Sequence, residues 1–77
     1  MNPTLNQLKI GQKGIISDLK IDEIPLKLLE MGCLPGNWVE LIQIAPFGDP
    51  LYFNINDSHV AIRLETAKAI EITLENN

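Results

Sequence analysis

The sequence predicts a small, mainly β barrel of five short strands, with one short helix between the first and second strands and brief helical turns elsewhere. Three observations carry that prediction. Runs rich in β-branched residues or alternating in polarity recur at Gly14–Leu19, Trp38–Ala45, Leu51–Ile55, Ser58–Leu64 and Ile70–Leu74. Turn-forming residues separate them: Pro35-Gly36, the stretch from Pro46 to Pro50, and Asn56-Asp57. The 77 residues suffice for a single domain, taken as 1–77 with a core over about 5–74. At that size, closing the sheet on itself is the economical way to hide strand edges.

In chain order, Thr4 is a fitting N-cap for one turn in which Leu5 and Leu8 share a face. Gly11 and Gly14 punctuate a turn before the first strand. Asp22 is the N-cap candidate for the helix, with Glu23 and Pro25 in its first turn, where proline loses no hydrogen bond. Ile24, Leu28 and Met31 form its apolar face, and Gly32 supplies the left-handed residue that ends it, laying Cys33 back on Leu28. Trp38–Ala45 is the second strand, and Trp38 is expected to pack in the core or cap one barrel end. The loop from Pro46 to Pro50 is stiffened by two prolines, with Gly48 free to take a positive φ. In Ser58–Leu64, His59, Ala61 and Arg63 fall on one side and Val60, Ile62 and Leu64 on the other. About one helical turn spans Glu65–Ala69, the last strand follows, and Glu75–Asn77 should fray. Five strands and tight turns in so short a chain point to an SH3-like barrel.

Composition narrows the function. The net charge is −4, and the basic residues Lys9, Lys13, Lys20, Lys27, Arg63 and Lys68 form no run, which argues against nucleic-acid binding. One cysteine rules out an internal disulfide and a multi-cysteine zinc site. The start lacks a signal-peptide pattern, and no apolar run approaches the ~18 residues needed to cross a bilayer. A cytoplasmic protein without direct membrane insertion is the expectation. Gly11-x-x-Gly14 lacks the Lys-Ser/Thr ending of a phosphate loop, so GTP binding is not expected.

Three segments resemble the FeoA family: Lys27-Leu28-Leu29-Glu30-Met31-Gly32-Cys33-Leu34-Pro35-Gly36, the loop Ala45-Pro46-Phe47-Gly48-Asp49-Pro50, and Val60-Ala61-Ile62-Arg63 followed by Ala67-Lys68-Ala69-Ile70-Glu71-Ile72. The opening Leu5-x-x-Leu8-x-x-Gly11-x-x-Gly14 fits as well, so the resemblance runs from about Leu5 to Leu74. A domain of this kind also closes DtxR-type repressors. The resemblance implies a non-catalytic cytoplasmic accessory protein of ferrous-iron uptake that docks on and regulates a FeoB-type transporter or its G domain. Candidate contact residues are Lys27, Glu30 and Leu34 near the helix end, and Phe47 and Asp49 in the loop.

Read from the residues, Phe47 has two fates: an exposed anchor on a stiff loop, or a plug in the core. Asp49 either braces its own loop through backbone N–H groups or meets a partner. No cofactor is required. Catalysis has no base-and-nucleophile arrangement beyond Cys33 and His59, and Cys33 is placed as a small buried residue. The alternative function is a carrier or sensor of Fe²⁺ or another transition metal, with His59, Asp57 and Cys33 as weak candidate ligands. A homo-oligomer is allowed, with the last strand, Ile70–Leu74, as a candidate pairing edge.

Overall fold

The computed structural model describes residues 2–75. Its strands are β1 (Lys13–Leu19), β2 (Trp38–Ile44), β3 (Leu51–Ile55), β4 (Ser58–Ile62) and β5 (Ile70–Leu74), and its helices α1 (Leu26–Glu30) and α2 (Leu64–Ala67). All pairings are antiparallel, in the order β4-β3-β2-β1-β5. The five-stranded, mainly β architecture is the one the sequence predicts, but among the described residues the sheet does not close by hydrogen bonding: β4 and β5 lie at its two ends and do not pair.

The core follows the alternation of the strands. Ile16, Val39, Leu41, Phe53, Ile55, Ile62, Ile70 and Ile72 are almost completely buried, and Leu5, Leu8, Leu28 and Cys33 close over them. Among the described residues, the buried ones are all apolar, so hydrophobic burial with little polar compensation holds the barrel together. Leu5 and Leu8 reach the core through one 3₁₀ turn, Leu5–Gln7, whose start is pinned by the Thr4 N–H donating to Gln7 Oε1 at 2.8 Å.

Several expectations shift. The first strand begins one residue before Gly14, at Lys13, so Gly14 lies within it, where an added Cβ would come within 3.1 Å of the Thr73 carbonyl. The helix starts later than Asp22. Residues Ile21–Glu23 form a separate 3₁₀ turn, and α1 begins only after Pro25. Pro25 disfavours the helical region for the residue before it, and Ile24 is extended, with φ −109° and ψ 122°. Leu64 leaves β4 and becomes the first residue of α2. Trp38 is only half-buried: it pairs with Ile15 across the sheet, and the Lys13 ammonium lies 5.4 Å from its ring centre. Glu75 does not fray, since its N–H bonds the Lys13 carbonyl at 3.2 Å; residues 76 and 77 lie outside the described residues.

The end of α1 forms as expected. Gly32, at φ +102°, stands where only a residue free of a Cβ penalty sits easily. The Cys33 N–H bonds the Leu28 carbonyl at 3.0 Å and the Gly32 N–H bonds the Leu29 carbonyl at 3.1 Å, the paired bonds of a Schellman ending. Cys33 is thereby delivered to the core.

Candidate functional site

β2 and β3 lead the chain away from the barrel into the loop 45–50. The loop is tied at its base: the Ala45 N–H bonds the Pro50 carbonyl at 3.1 Å, and the Gly48 N–H bonds the Ala45 carbonyl at 2.8 Å. Pro46 and Pro50 restrict its backbone further. At its tip Phe47 is 99% exposed. The core-plug alternative is therefore overturned. β2 and β3 have already filled the interior with Leu41, Leu51 and Phe53, and the loop turns the ring outward.

Asp49 does brace the structure, but not within its own loop. Its Oδ1 accepts from the Leu64 N–H at 2.8 Å. Leu64 opens α2, so this carboxylate satisfies one of the amides that a helix start leaves without an intrahelical partner. The bond ties the loop to a segment fifteen residues later. Phe47 is thus presented from a loop held at both ends by backbone and at one side by Asp49.

Lys27, Glu30 and Leu34 occupy the opposite end of β2. Lys27 and Glu30 are exposed on α1, and Leu34 is 42% exposed in the turn after it. The seven residues of β2 lie between Leu34 and the Phe47 loop, roughly 20 Å at the rise of a strand. The structure therefore divides the expected contact residues into two patches, one around the helix end and one on the loop.

The sequence reading missed the apolar residues that adjoin each patch. Ile21 and Leu26 lie open beside α1, at 61% and 70% exposure. Near the loop, Ile42, Ile44 and Tyr52 are exposed on β2 and β3. The register slips between Leu41 and Gln43, so alternation fails there and Ile42, Gln43 and Ile44 are all exposed in succession. The signal was the unbroken Leu41-Ile42-Gln43-Ile44 run, which does not alternate cleanly. A shallow groove of about 400 Å³ opens on this face, bordered by Ile42, Gln43, Tyr52, His59 and Ala61.

The candidate metal ligands are placed apart in character. Cys33 is fully buried and its thiol is pushed up to about 11 by that burial, which opposes the thiolate that metal binding requires. Asp57 holds a turn position with φ 70°, and His59 is exposed on β4 opposite Asn54. Among the described residues, no three His, Cys, Asp or Glu side chains gather where they could hold a metal ion. Nor is any helix there long and apolar enough to cross a membrane.

Comparison with known proteins agrees with this fold. An Fe(2+) transport protein A/Fe(2+) transporter FeoB fusion protein of Porphyromonas gingivalis is 35% identical over 71 residues, 91% of this chain; the match spans only 8% of that longer protein. The solution structure of iron(II) transport protein A from Clostridium thermocellum is similar at TM-score 0.81 and 32% identity, over 94% of this chain and 45% of that one. The crystal structure of Stenotrophomonas maltophilia FeoA, an SH3 domain protein complexed with zinc, superposes at TM-score 0.78 and 23% identity, over 96% of each chain. The model of the FeoA domain matches residues 4–74, and this chain belongs to the FeoA family.

Proposed function

We propose that this chain is a non-catalytic cytoplasmic accessory protein of ferrous-iron uptake, which docks on a FeoB-type transporter or its G domain and regulates it. The observation that carries this is Phe47, an almost wholly exposed aromatic on a loop already fixed by Pro46, Pro50 and the Asp49–Leu64 bond. An aromatic held in advance loses little freedom on binding, which is what an interface anchor needs. Ile42, Ile44 and Tyr52 beside the loop extend its apolar surface. The fused relative supports the choice of partner: there an FeoA-like segment and an FeoB transporter share one polypeptide.

Phe47 and Asp49 form the primary contact in this reading, and Leu34 with Lys27 and Glu30 a second one at the other end of β2. Titrating the protein into the G domain of the same organism's FeoB tests it. Saturable binding is expected, and Phe47→Ser should weaken it by about tenfold or more, as loss of an aromatic anchor does. Absence of binding to both the G domain and the full transporter would overturn it. The reading needs no cofactor. A metal-carrying role would instead show stoichiometric Fe²⁺ binding that His59→Ala abolishes.

A further inference from the structure

The two ends of the sheet are finished differently. The outer edge of β5, the candidate pairing edge in the sequence, is taken by the chain's own beginning: the Ile72 N–H donates to the Pro3 carbonyl at 2.9 Å and Thr4 bridges Glu71. At the other end, among the described residues, β4 has only β3 beside it.

The turn before β4 decides which of its amides are free. Ile55 and Ser58 flank Asn56-Asp57, whose φ values of 47° and 70° fit the two-residue hairpin that makes its flanking residues a hydrogen-bonded pair. Bonded and non-bonded pairs then alternate. Val60 opposite Phe53 and Ile62 opposite Leu51 direct their backbone groups at β3. The N–H and C=O of His59 and Ala61 therefore point away from the sheet. Proteins usually blunt such an edge with Lys, Glu, Pro or a bulge. β4 reads Ser-His-Val-Ala-Ile and pairs with β3 without a register shift. It carries none of these devices.

We infer that this chain pairs with a second copy of itself, β4 against β4, antiparallel about a two-fold axis through Val60. Of the registers that set outward amides against outward amides, this one alone also brings opposite charges together. His59 stands opposite Ala61 of the second copy, so each exposed amide pair meets its equivalent and the small Ala61 leaves room for the imidazole. Just beyond the ends of the contact, Arg63 at the start of α2 and Asp57 in the hairpin turn of the second copy bring opposite charges to the same place, and symmetry repeats that pairing. Sliding by two residues in either direction sets His59 against His59, or Arg63 against His59, and loses both ion pairs. The groove beside Tyr52 and Ala61 then continues across the joined sheets.

Sedimentation equilibrium up to roughly 1 mM, a range that detects even weak dimers, tests this. The protein should show a monomer–dimer equilibrium. Ala61→Pro removes only an outward N–H and spares the β3–β4 ladder, so it should stay folded by circular dichroism and sediment as a monomer. Arg63→Glu should raise the dissociation constant roughly 2- to 30-fold, the worth of two exposed ion pairs. A wild-type protein that is monomeric throughout overturns the inference, as does a folded Ala61→Pro variant that dimerises normally. If Ala61→Pro does not fold, an unchanged dissociation constant in Arg63→Glu overturns it. A monomer whose binding to the FeoB G domain is lost in Ala61→Pro would assign the edge to a strand of the transporter instead.

Discussion

The turn from Met31 to Asn37 and the loop from Ala45 to Pro50 are assembled from the same materials: proline, glycine at positive φ, and apolar or aromatic side chains between them. In the first, the Schellman bonds at the end of α1 return the backbone over the barrel, and Cys33 is fully buried. In the second, two paired strands carry the backbone outward before it can turn, and Phe47 is left in solvent. The difference lies in what precedes each turn. A helix lying on the core ends pointing back into it. A hairpin that has already filled the core with Leu41 and Phe53 ends pointing away. The first turn therefore anchors the core through Cys33 while leaving Leu34 partly open, and the second leaves its aromatic wholly free for recognition.

Substitutions in the inward turn should have the larger effects on stability. Leu28→Ala removes a buried side chain from the residue whose backbone carbonyl accepts from the Cys33 N–H. Urea unfolding should show a loss of about 2–4 kcal/mol. For a domain this small, that is a large share of a total near 4–12 kcal/mol. A loss under about 1 kcal/mol would mean that the inward turn is not part of the core.

The Cys33 thiol sharpens the same contrast through pH. Its ordinary ionisation near 9.0 is pushed up to about 11 by burial. Between those values the unfolded chain gives up a proton that the folded chain keeps. The stabilising difference is therefore complete below pH 9 and is lost as the pH rises toward 11, by roughly 2–3 kcal/mol in total. Stability measured at pH 8 and pH 10.5 should fall more steeply in the wild type than in Cys33→Ala. Equal slopes would show that burial of the thiol sets no such window.

The inward half of this contrast was legible in the sequence and the outward half was not. Gly32 after an amphipathic run specifies the helix ending locally, and Asn56-Asp57 between two alternating runs specifies the hairpin, so both emerged where expected. The fate of Phe47 depends on whether the core is already full, which is a property of the whole barrel rather than of five residues. The bond from Asp49 to Leu64 spans fifteen positions and has no local signature. Pro25 did carry information that was outweighed: its restriction on Ile24 delays the helix past the apparent Asp22 cap. Trp38 looked like core because of its size, yet its strand position sets it beside Lys13, half in solvent.

The outward loop should respond more gently. Asp49→Ala leaves the Leu64 amide at the start of α2 without its acceptor, and a loss of about 1 kcal/mol is expected, as for other helix-start acceptors. Asp49→Asn keeps an oxygen in place and should recover part of it. Docking in Asp49→Ala should weaken beyond what the stability loss explains, because the loop is freer and ordering it opposes binding.

Phe47→Ser gives the smallest expected change in stability and the most direct test of the contrast. A side chain that is 99% exposed withdraws almost no apolar surface from water on folding, so its removal should change the unfolding free energy by less than about 0.5 kcal/mol. The same substitution should weaken binding to the FeoB G domain by about tenfold or more. Stability and binding then separate at one residue, as they must if the loop is built for recognition. A stability loss above about 1 kcal/mol would place the ring against the barrel in solution and make the two turns alike. Unchanged stability with unchanged binding would keep the ring in solvent and move the docking contact to Leu34, Leu26 and Ile21 at the other end of β2.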